Sequence, residues 1–531
     1  MAMNLVTTAL VLLALATGIV ALAPRAKIPA EVLLILGSLI LSLIPGLPTI
    51  TLSPDIVFLV FLPPIIFGAA YFTSWRDFKA NKRPISLLAI GLVLFTTVSV
   101  AFVLKWLIPG MPWAVGFILG AIVSPPDASA ATAITRQLGV PRRLITIIEG
   151  ESLVNDATAL VAYKFAVAAI MTGSFSLGLA VGKFILVGAG GIIVGLVIGW
   201  TGTQINKHLK ETVAQILLSF LTAFAAYLFA EELGVSGVIS TVTAGLYYGR
   251  WVPAQASAQL RIEAKAGWDL ILFIINAFVF TLIGFQLPVA FSHLHGYRTS
   301  HLVGYAAIVS LLVMVVRMVW VFPAAYVPRL LFRSVRESDP LPSWKNIFIL
   351  SWTGMRGIVS LAAALSLPLF LPSGEAFPYR HLLIFLTYTT ILTTLLLPSF
   401  TLPTLLRWLH IKSDNEAMRE ETLARVASVQ AVLNGIEKMK TNGAYHPEHV
   451  NQLERRYLRR LETLQANLSN SAFSPLFDED AQRRRLLRAV IHEERQALVG
   501  LRDDGKIHND VMHLVMRELD LEELRLWTQR L

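Results

Sequence analysis

The chain has 531 residues, of which 55% are hydrophobic and 15% charged, with a mean hydropathy of +0.63. An ordinary soluble domain is roughly 25% charged, so a water-soluble globule is excluded. Charge is also unevenly placed: residues 1–410 hold 26 Lys/Arg and 15 Asp/Glu, while residues 411–531 hold 19 and 20. That asymmetry marks a transmembrane domain, 1–410, followed by a helical tail, 411–531. The formal charge of +10 then belongs to the loops of the membrane half, where it bears on topology, and no nucleic-acid partner is expected. With no cysteine in the chain, disulfides, thiolate metal sites and Cys nucleophiles are excluded.

A bilayer span needs about 20 predominantly apolar residues. Thirteen windows approach this: 4–23, 30–46, 54–72, 85–108, 113–135, 144–171, 177–204, 212–230, 235–249, 268–289, 301–327, 346–370 and 381–406. The first lacks a basic leader and exceeds the apolar region of a secretory signal, so it reads as a transmembrane helix. Alternate connections hold eighteen Lys/Arg on one side and only Lys105, Arg298 and Arg380 on the other. Basic loops are retained in the cytoplasm, which puts the N-terminus outside and the tail inside. The tail reads as helices near 414–441, 447–468, 478–500 and 508–530, separated by breakers such as Thr441-Asn442-Gly443. Leu453, Leu458, Leu461 and Leu464 form an amphipathic stripe there, which fits a small helical bundle better than a catalytic surface.

An ionisable side chain in the bilayer centre costs at least about 2.5–3.5 kcal/mol, so it is rare and usually functional. Of the fifteen acids in the membrane half, ten fall in connections or at span ends, Glu231 and Asp339 among them, and read as solvated; Glu31 begins a span and reads as interfacial. Asp127, Glu149, Glu151 and Asp156 remain deep. Asp127 follows Pro125 and Pro126 in the middle of the fifth window. Two prolines remove two amide donors, so this span must break, and irregular backbone at membrane depth survives only inside protein or beside a watery cavity. A plain proline kink would not need the carboxylate that follows.

The sixth window carries Glu149-Gly150-Glu151-Ser152-Leu153-Val154-Asn155-Asp156. Ser152 and Asp156, and Glu151 and Asn155, are four residues apart, so one side of the helix bears a hydroxyl, an amide and a carboxylate. A buried carboxylate needs a positive partner, and either a cation or a proton supplies it. Mutually exclusive occupancy of one such group is already an exchange mechanism. Arg317 and Arg356 also lie within apolar runs and must each compensate an acid or a helix end. Gly354 and Gly357 loosen the twelfth window as the prolines loosen the fifth. The two are seven spans apart, an odd offset that gives them opposite orientations and fits inverted repeats whose broken helices cross. Lys164 and Lys183 can snorkel to the outer interface.

Leu62-Pro63-Pro64-Ile65-Ile66-Phe67, Ser124-Pro125-Pro126-Asp127, Gly150-Glu151-Ser152-Leu153-Val154-Asn155-Asp156-Ala157 and Gly354-Met355-Arg356-Gly357 together resemble the cation:proton antiporters of the sodium/proton exchanger type. The resemblance covers about residues 5–406. It implies an all-α polytopic protein of about thirteen transmembrane helices, a homodimer in which a core domain moves against a dimerisation domain. On matching positions it implies that Asp156 binds the transported Na+ and the proton, assisted by Asn155, Ser152 and Asp127. It further implies a structural charge pair between Glu151 and Arg317, and Arg356, with Pro125 and Pro126, stabilising the crossing. An Asn before the Asp is similar to the electroneutral branch. One departure concerns the residues flanking Asp127: many relatives have Thr before and Pro after this Asp, whereas here they are Pro126 and Ala128.

The expectation is therefore an antiporter, not an enzyme, of the bacterial inner membrane that exchanges Na+, K+ or Li+ for H+ and governs intracellular pH and cation content. It needs no cofactor; its partners are monovalent cations, protons, the lipid bilayer and a second copy of itself. A passive cation channel is the first alternative. An intramembrane aspartyl protease with Asp127 and Asp156 as its dyad is the second; it would need the two acids within hydrogen-bond reach.

Overall fold

The computed structural model describes residues 2–26, 29–44, 54–137, 140–173, 177–286, 290–291, 294, 297–339, 341–410, 415–442, 446–469, 476–504, 506 and 509–528. It divides into two compact units, Met1–Ser413 and Asp414–Leu531. The first is built from α1 (Ala2–Ala26), α2 (Ala30–Ser42), α3 (Pro54–Phe72), α4 (Lys82–Leu107), α5 (Trp113–Val123), α6 (Ala128–Gln137), α7 (Arg142–Thr172) and α8 (Leu177–His208). It continues through α9 (Thr212–Glu232), α10 (Gly237–Gln255), α11 (Ala258–Phe285), α12 (Thr299–Leu331), α13 (Trp344–Trp352), α14 (Ile358–Leu365) and α15 (Arg380–Trp408). The second holds α16 (Asn415–Asn442), α17 (Pro447–Ser469), α18 (Leu476–Asp503) and α19 (Asn509–Thr528), with α16 packed on α17 and α18 on α19.

Among the described residues, nine helical segments are long and apolar enough to cross a membrane, the pair α5–α6 counted as one, and α1 and α2 supply the shorter apolar stretches Val11–Ala23 and Ala30–Ser42. The two remaining sequence windows fall on α10 and on the interrupted pair α13–α14. Boundaries differ where polar signals outrank hydropathy. Ser257 caps α11, its side chain accepting from Leu260 N–H at 3.1 Å, so that helix starts ten residues before its apolar window; residues 287–289 of that window lie outside the described residues. Helix α10 runs past Arg250 to Gln255, and α2 ends at Ser42. A π-helical turn over Val57–Phe61 precedes Pro63 and Pro64 in α3, as expected where prolines cannot donate to the preceding turn.

Two groups of helices make up the membrane unit. In one, α2 packs along α11, α3 along α10, and α10 against α8 and α9. In the other, α4 packs along α5, α5 against α7, and α12 against α13 and α15. Apolar residues such as Ile118, Leu119, Val309 and Leu386 fill the second group, and Ile35, Phe280 and Ile283 belong to the core of the first.

Two of the acids that fall in connections or at span ends have defined partners. Asp339, in the connection after α12, accepts from Arg83, Arg143 and Arg329, each at 2.7 Å, and its side chain is only 19% exposed. Glu231 takes the Lys164 ammonium at 3.2 Å and the Gly237 N–H at 3.1 Å; Lys164 thus has an acid partner where snorkelling alone was expected. Both acids lie at helix ends, where sequence shows exposure to loops but not which distant basic residue folds back. In the tail, Leu453 and Leu458 of the α17 stripe stay exposed, while Val429, Ile436 and Val450 are buried.

Candidate functional site

The chain is interrupted between Val123 and Ala128 and again between Trp352 and Ile358, and the two breaks touch. The Asp127 N–H donates to the Met355 carbonyl at 2.7 Å. Each break leaves carbonyls orphaned on one side and N–H groups on the other, and charged side chains meet both. Arg356 Nε donates to the Val123 carbonyl at 2.9 Å, closing the C-terminal end of α5. Arg317 Nη2 donates to the Leu350 carbonyl at 3.1 Å, near the C-terminal end of α13. Cations are favoured at these ends because the helix dipole is negative there.

At the N-terminal ends the sign reverses. Asp127 Oδ1 accepts the Ser129 N–H at 2.8 Å and a short bond from the Ser129 hydroxyl, so the carboxylate caps α6. The same carboxylate lies against Gly357, directly before α14, so closely that a Cβ at that position would overlap it. A Cβ at Gly354 would likewise overlap the Arg317 side chain. The glycines therefore give the charges room as well as loosening the helix. The Ala128 N–H donates to Ser152 Oγ at 3.3 Å, and Asn155 Nδ2 donates to the Pro126 carbonyl at 2.8 Å. Thus α7 splints the proline break.

Glu151 and Arg317 are 1% and 2% exposed and form a two-pronged pair, Nη1 to Oε1 at 2.5 Å and Nη2 to Oε2 at 2.9 Å. A bidentate pair with a further carbonyl bond is what a desolvated guanidinium requires.

Between the two helix groups lies a cavity of about 50 Å³, room for a few water-sized occupants. Asp127, Ser129, Ser152, Asp156, Gly357 and Ser360 line it from one group. Leu62, Ile65 and Ile66 of α3 and Asn276, Val279 and Phe280 of α11 line it from the other. Within the described residues the Asp156 carboxylate has no hydrogen-bond or ion-pair partner. Asp127 and Asp156 share the cavity without bonding each other, which leaves the protease dyad without its defining contact.

Sequence reading located Asp127, Ser152 and Asp156, and the structure brings them together. It places Asn155 at the break, Glu151 with Arg317, and Arg356 at a helix end. Asn276, Ser129 and Ser360, which also line the cavity, were not singled out by the sequence. Asn276 carried a signal, being a single amide in the apolar run Leu270–Phe285. So did Ser129, two residues beyond an Asp that opens a helix. Ser360, amid small apolar residues, carried none.

A family model described as sodium/hydrogen exchanger, transmembrane, matches residues 10–408. An uncharacterised Na+/H+ exchanger of Mycobacterium tuberculosis is 34% identical over 533 residues, covering 98% of this chain and 97% of its own. A sodium, potassium, lithium and rubidium/H+ antiporter of Bacillus pumilus is 34% identical over 381 residues, 70% of this chain and 56% of its own. In fold, the chain is similar to a sodium proton antiporter of Methanocaldococcus jannaschii, with a TM-score of 0.60 over 76% of this chain and 98% of that one, at 20% identity.

Proposed function

The chain belongs to the sodium/hydrogen exchanger family, and on that premise we propose that its Asp156 carboxylate carries a monovalent cation or a proton across the membrane, one at a time. The reading rests on a single observation: among the described residues Asp156 lines the cavity between the helix groups with no hydrogen-bond or ion-pair partner, while Asp127 beside it already accepts two bonds from Ser129. A partnerless carboxylate in a site of low polarity must be neutralised. Cation and proton compete to do so, and neither crosses with the other. Movement of one helix group against the other then exposes the loaded group on the opposite side, the alternating access typical of carriers with broken helices.

Ser152 and Asn276 contribute neutral oxygens to the cation, Asp127 the second negative charge. Asn155 holds the α6 end in place, and Glu151, Arg317 and Arg356 fix the crossing. The exchanged cation is Na+, with K+ and Li+ as further substrates. One cation for one proton makes the exchange electroneutral, and its cellular role is control of internal pH and cation content. The protein works as a homodimer in a bacterial plasma membrane, N-terminus outside and tail in the cytoplasm. The mostly exposed apolar length of α8, with Ile185, Ile193, Val197 and Trp200 outward, supports burial against lipid or a second copy.

The test is a pH-dye assay on proteoliposomes. Addition of Na+, K+ or Li+ should dissipate an imposed proton gradient with wild-type protein and leave it intact with Asp156→Asn, which keeps the side chain's shape and folds. Persistent cation-driven proton flux in that variant would refute the assignment. A conductance that needs no opposing gradient would favour the channel.

A further inference from the structure

Buried Ser and Thr side chains in these spans commonly return their hydroxyls to a carbonyl three or four residues earlier. Ser351 does so to Ile347 at 2.8 Å, Thr394 to Thr390 at 2.7 Å and Ser399 to Leu395 at 2.6 Å. Ser360 is the third residue of α14, so the carbonyls at those offsets belong to Arg356 and Gly357, in the break. The residue is 2% exposed, and its hydroxyl has no hydrogen-bond partner among the described residues. Leaving such a group unpaired is costly; buried hydroxyls such as Thr96 and Ser310 also lack a partner, but Ser360 has an open cavity beside it. The side chain lines the cavity of Asp156 and Asp127, and also an adjoining cavity of about 10 Å³ beside Tyr163.

We propose that the Ser360 hydroxyl oxygen is a ligand of the transported cation. The inference rests on the reading of Asp156 as the exchange carboxylate. A hard monovalent cation needs several oxygens, and the other hydroxyls of the cavity each already make a protein hydrogen bond: Ser129 donates to Asp127, and Ser152 accepts the Ala128 N–H and keeps one lone pair for the cation. Among the described residues Ser360 is the hydroxyl of that cavity that makes no hydrogen bond at all. It also comes from α14, across the break from the Asp156 helix, so a cation held by both ties α7 to α14 whereas a proton on Asp156 does not. An uncharged ligand of this kind strengthens cation binding and leaves proton binding alone.

This gives the test a signature. Where cation and proton compete for one carboxylate, removing a neutral cation ligand raises the cation KM by the same factor at every pH. A plot of log KM against pH moves straight up. Disturbing the carboxyl itself would move the bend of that plot along the pH axis. Ser360→Ala in proteoliposomes should raise the Na+ KM by about tenfold, the scale of one lost polar contact, in parallel across pH, with maximal rate and thermal unfolding unchanged. Ser360→Thr, which keeps the oxygen, should restore tight binding. If the Ala variant cannot be isolated folded, Ser360→Cys replaces the hard oxygen with soft sulfur and should weaken Na+ and Li+ alike.

An unchanged KM for Na+, K+ and Li+ in the Ala or Cys variant overturns the inference, as does a sideways shift of the bend. Exchange that survives Asp156→Asn, or its absence in the wild type, fails the underlying reading instead, so the two failures are distinguishable.

Discussion

Two regions of the membrane unit gather charge, and they do it differently. At the crossing of the broken spans each charged side chain has its own fixed partners: Glu151 with Arg317, Arg356 with the end of α5, Asp127 with the start of α6. In the connection around Asp339, one carboxylate serves three arginines, whose side chains range from 5% to 45% exposed. Where water is excluded, an unmatched charge is prohibitive and partners are assigned singly. Near water, screening lets one acid be shared and lets excess charge remain. Among the described residues Asp156 is the exception at the crossing, the acid lining the cavity with no hydrogen-bond or ion-pair partner, which is what makes it the group proposed for exchange.

The sharpest way to break this comparison is to remove half of the buried pair. Glu151→Gln or Arg317→Met alone should cost about 3–5 kcal/mol in stability, read as a large drop in thermal unfolding temperature in detergent. The double variant should recover much of the loss, since no lone charge then remains; simple additivity would contradict the pairing. Next is Gly357→Ala, whose methyl must displace the Asp127 carboxylate. Crowding of this kind costs about 1–3 kcal/mol, and exchange should fall further than stability does.

Ser129→Ala takes one of two bonds from Asp127 and leaves the backbone N–H. About 0.5–1.5 kcal/mol is expected, with exchange retained.

The smallest effect belongs to the shared acid. Asp339→Asn should cost no more than about 1 kcal/mol at neutral pH. Burial alone would lift the Asp339 carboxyl, but hydrogen bonds and charge from Arg143 and Arg329 outweigh it and hold the group below the usual carboxylate range. Its contribution is therefore fully present above the unfolded value near 3.9 and lost as pH falls through the lower folded value. The stability gap between wild type and Asp339→Asn should be flat at neutral pH and close only below about pH 4. A gap that closes between pH 6 and 7 would mean the arginines do not hold Asp339 as described.

Much of the crossing was legible in the sequence because the bilayer makes its exceptions conspicuous. Paired prolines before an acid, and glycines flanking an arginine, violate an otherwise apolar helical run, and each violation marked a real break. Each of the thirteen windows overlaps a described helix for the same reason, and nine of them coincide with helical segments long and apolar enough to span. What sequence could not show was which polar group answers which. Asn155 and Asp156 are adjacent, yet one ties down a backbone carbonyl and the other faces the cavity, a distinction made by a 100° turn of helix against a neighbour. Asp339 is separated by 256 residues from Arg83 and by 196 from Arg143, and no local pattern encodes that meeting. Ser360 was invisible because its significance comes from the missing helix before it.

The account's central claim is that metal ion and proton exclude one another at Asp156. Proton release on cation binding tests it most directly, measured by calorimetric titration of the purified protein with Na+ in buffers of different ionisation enthalpy. Wild-type protein should release about one proton per Na+ bound at acidic pH, where the carboxyl starts protonated, and Asp156→Asn should release none. Na+ binding to the wild type with no accompanying proton at any pH would contradict the claim.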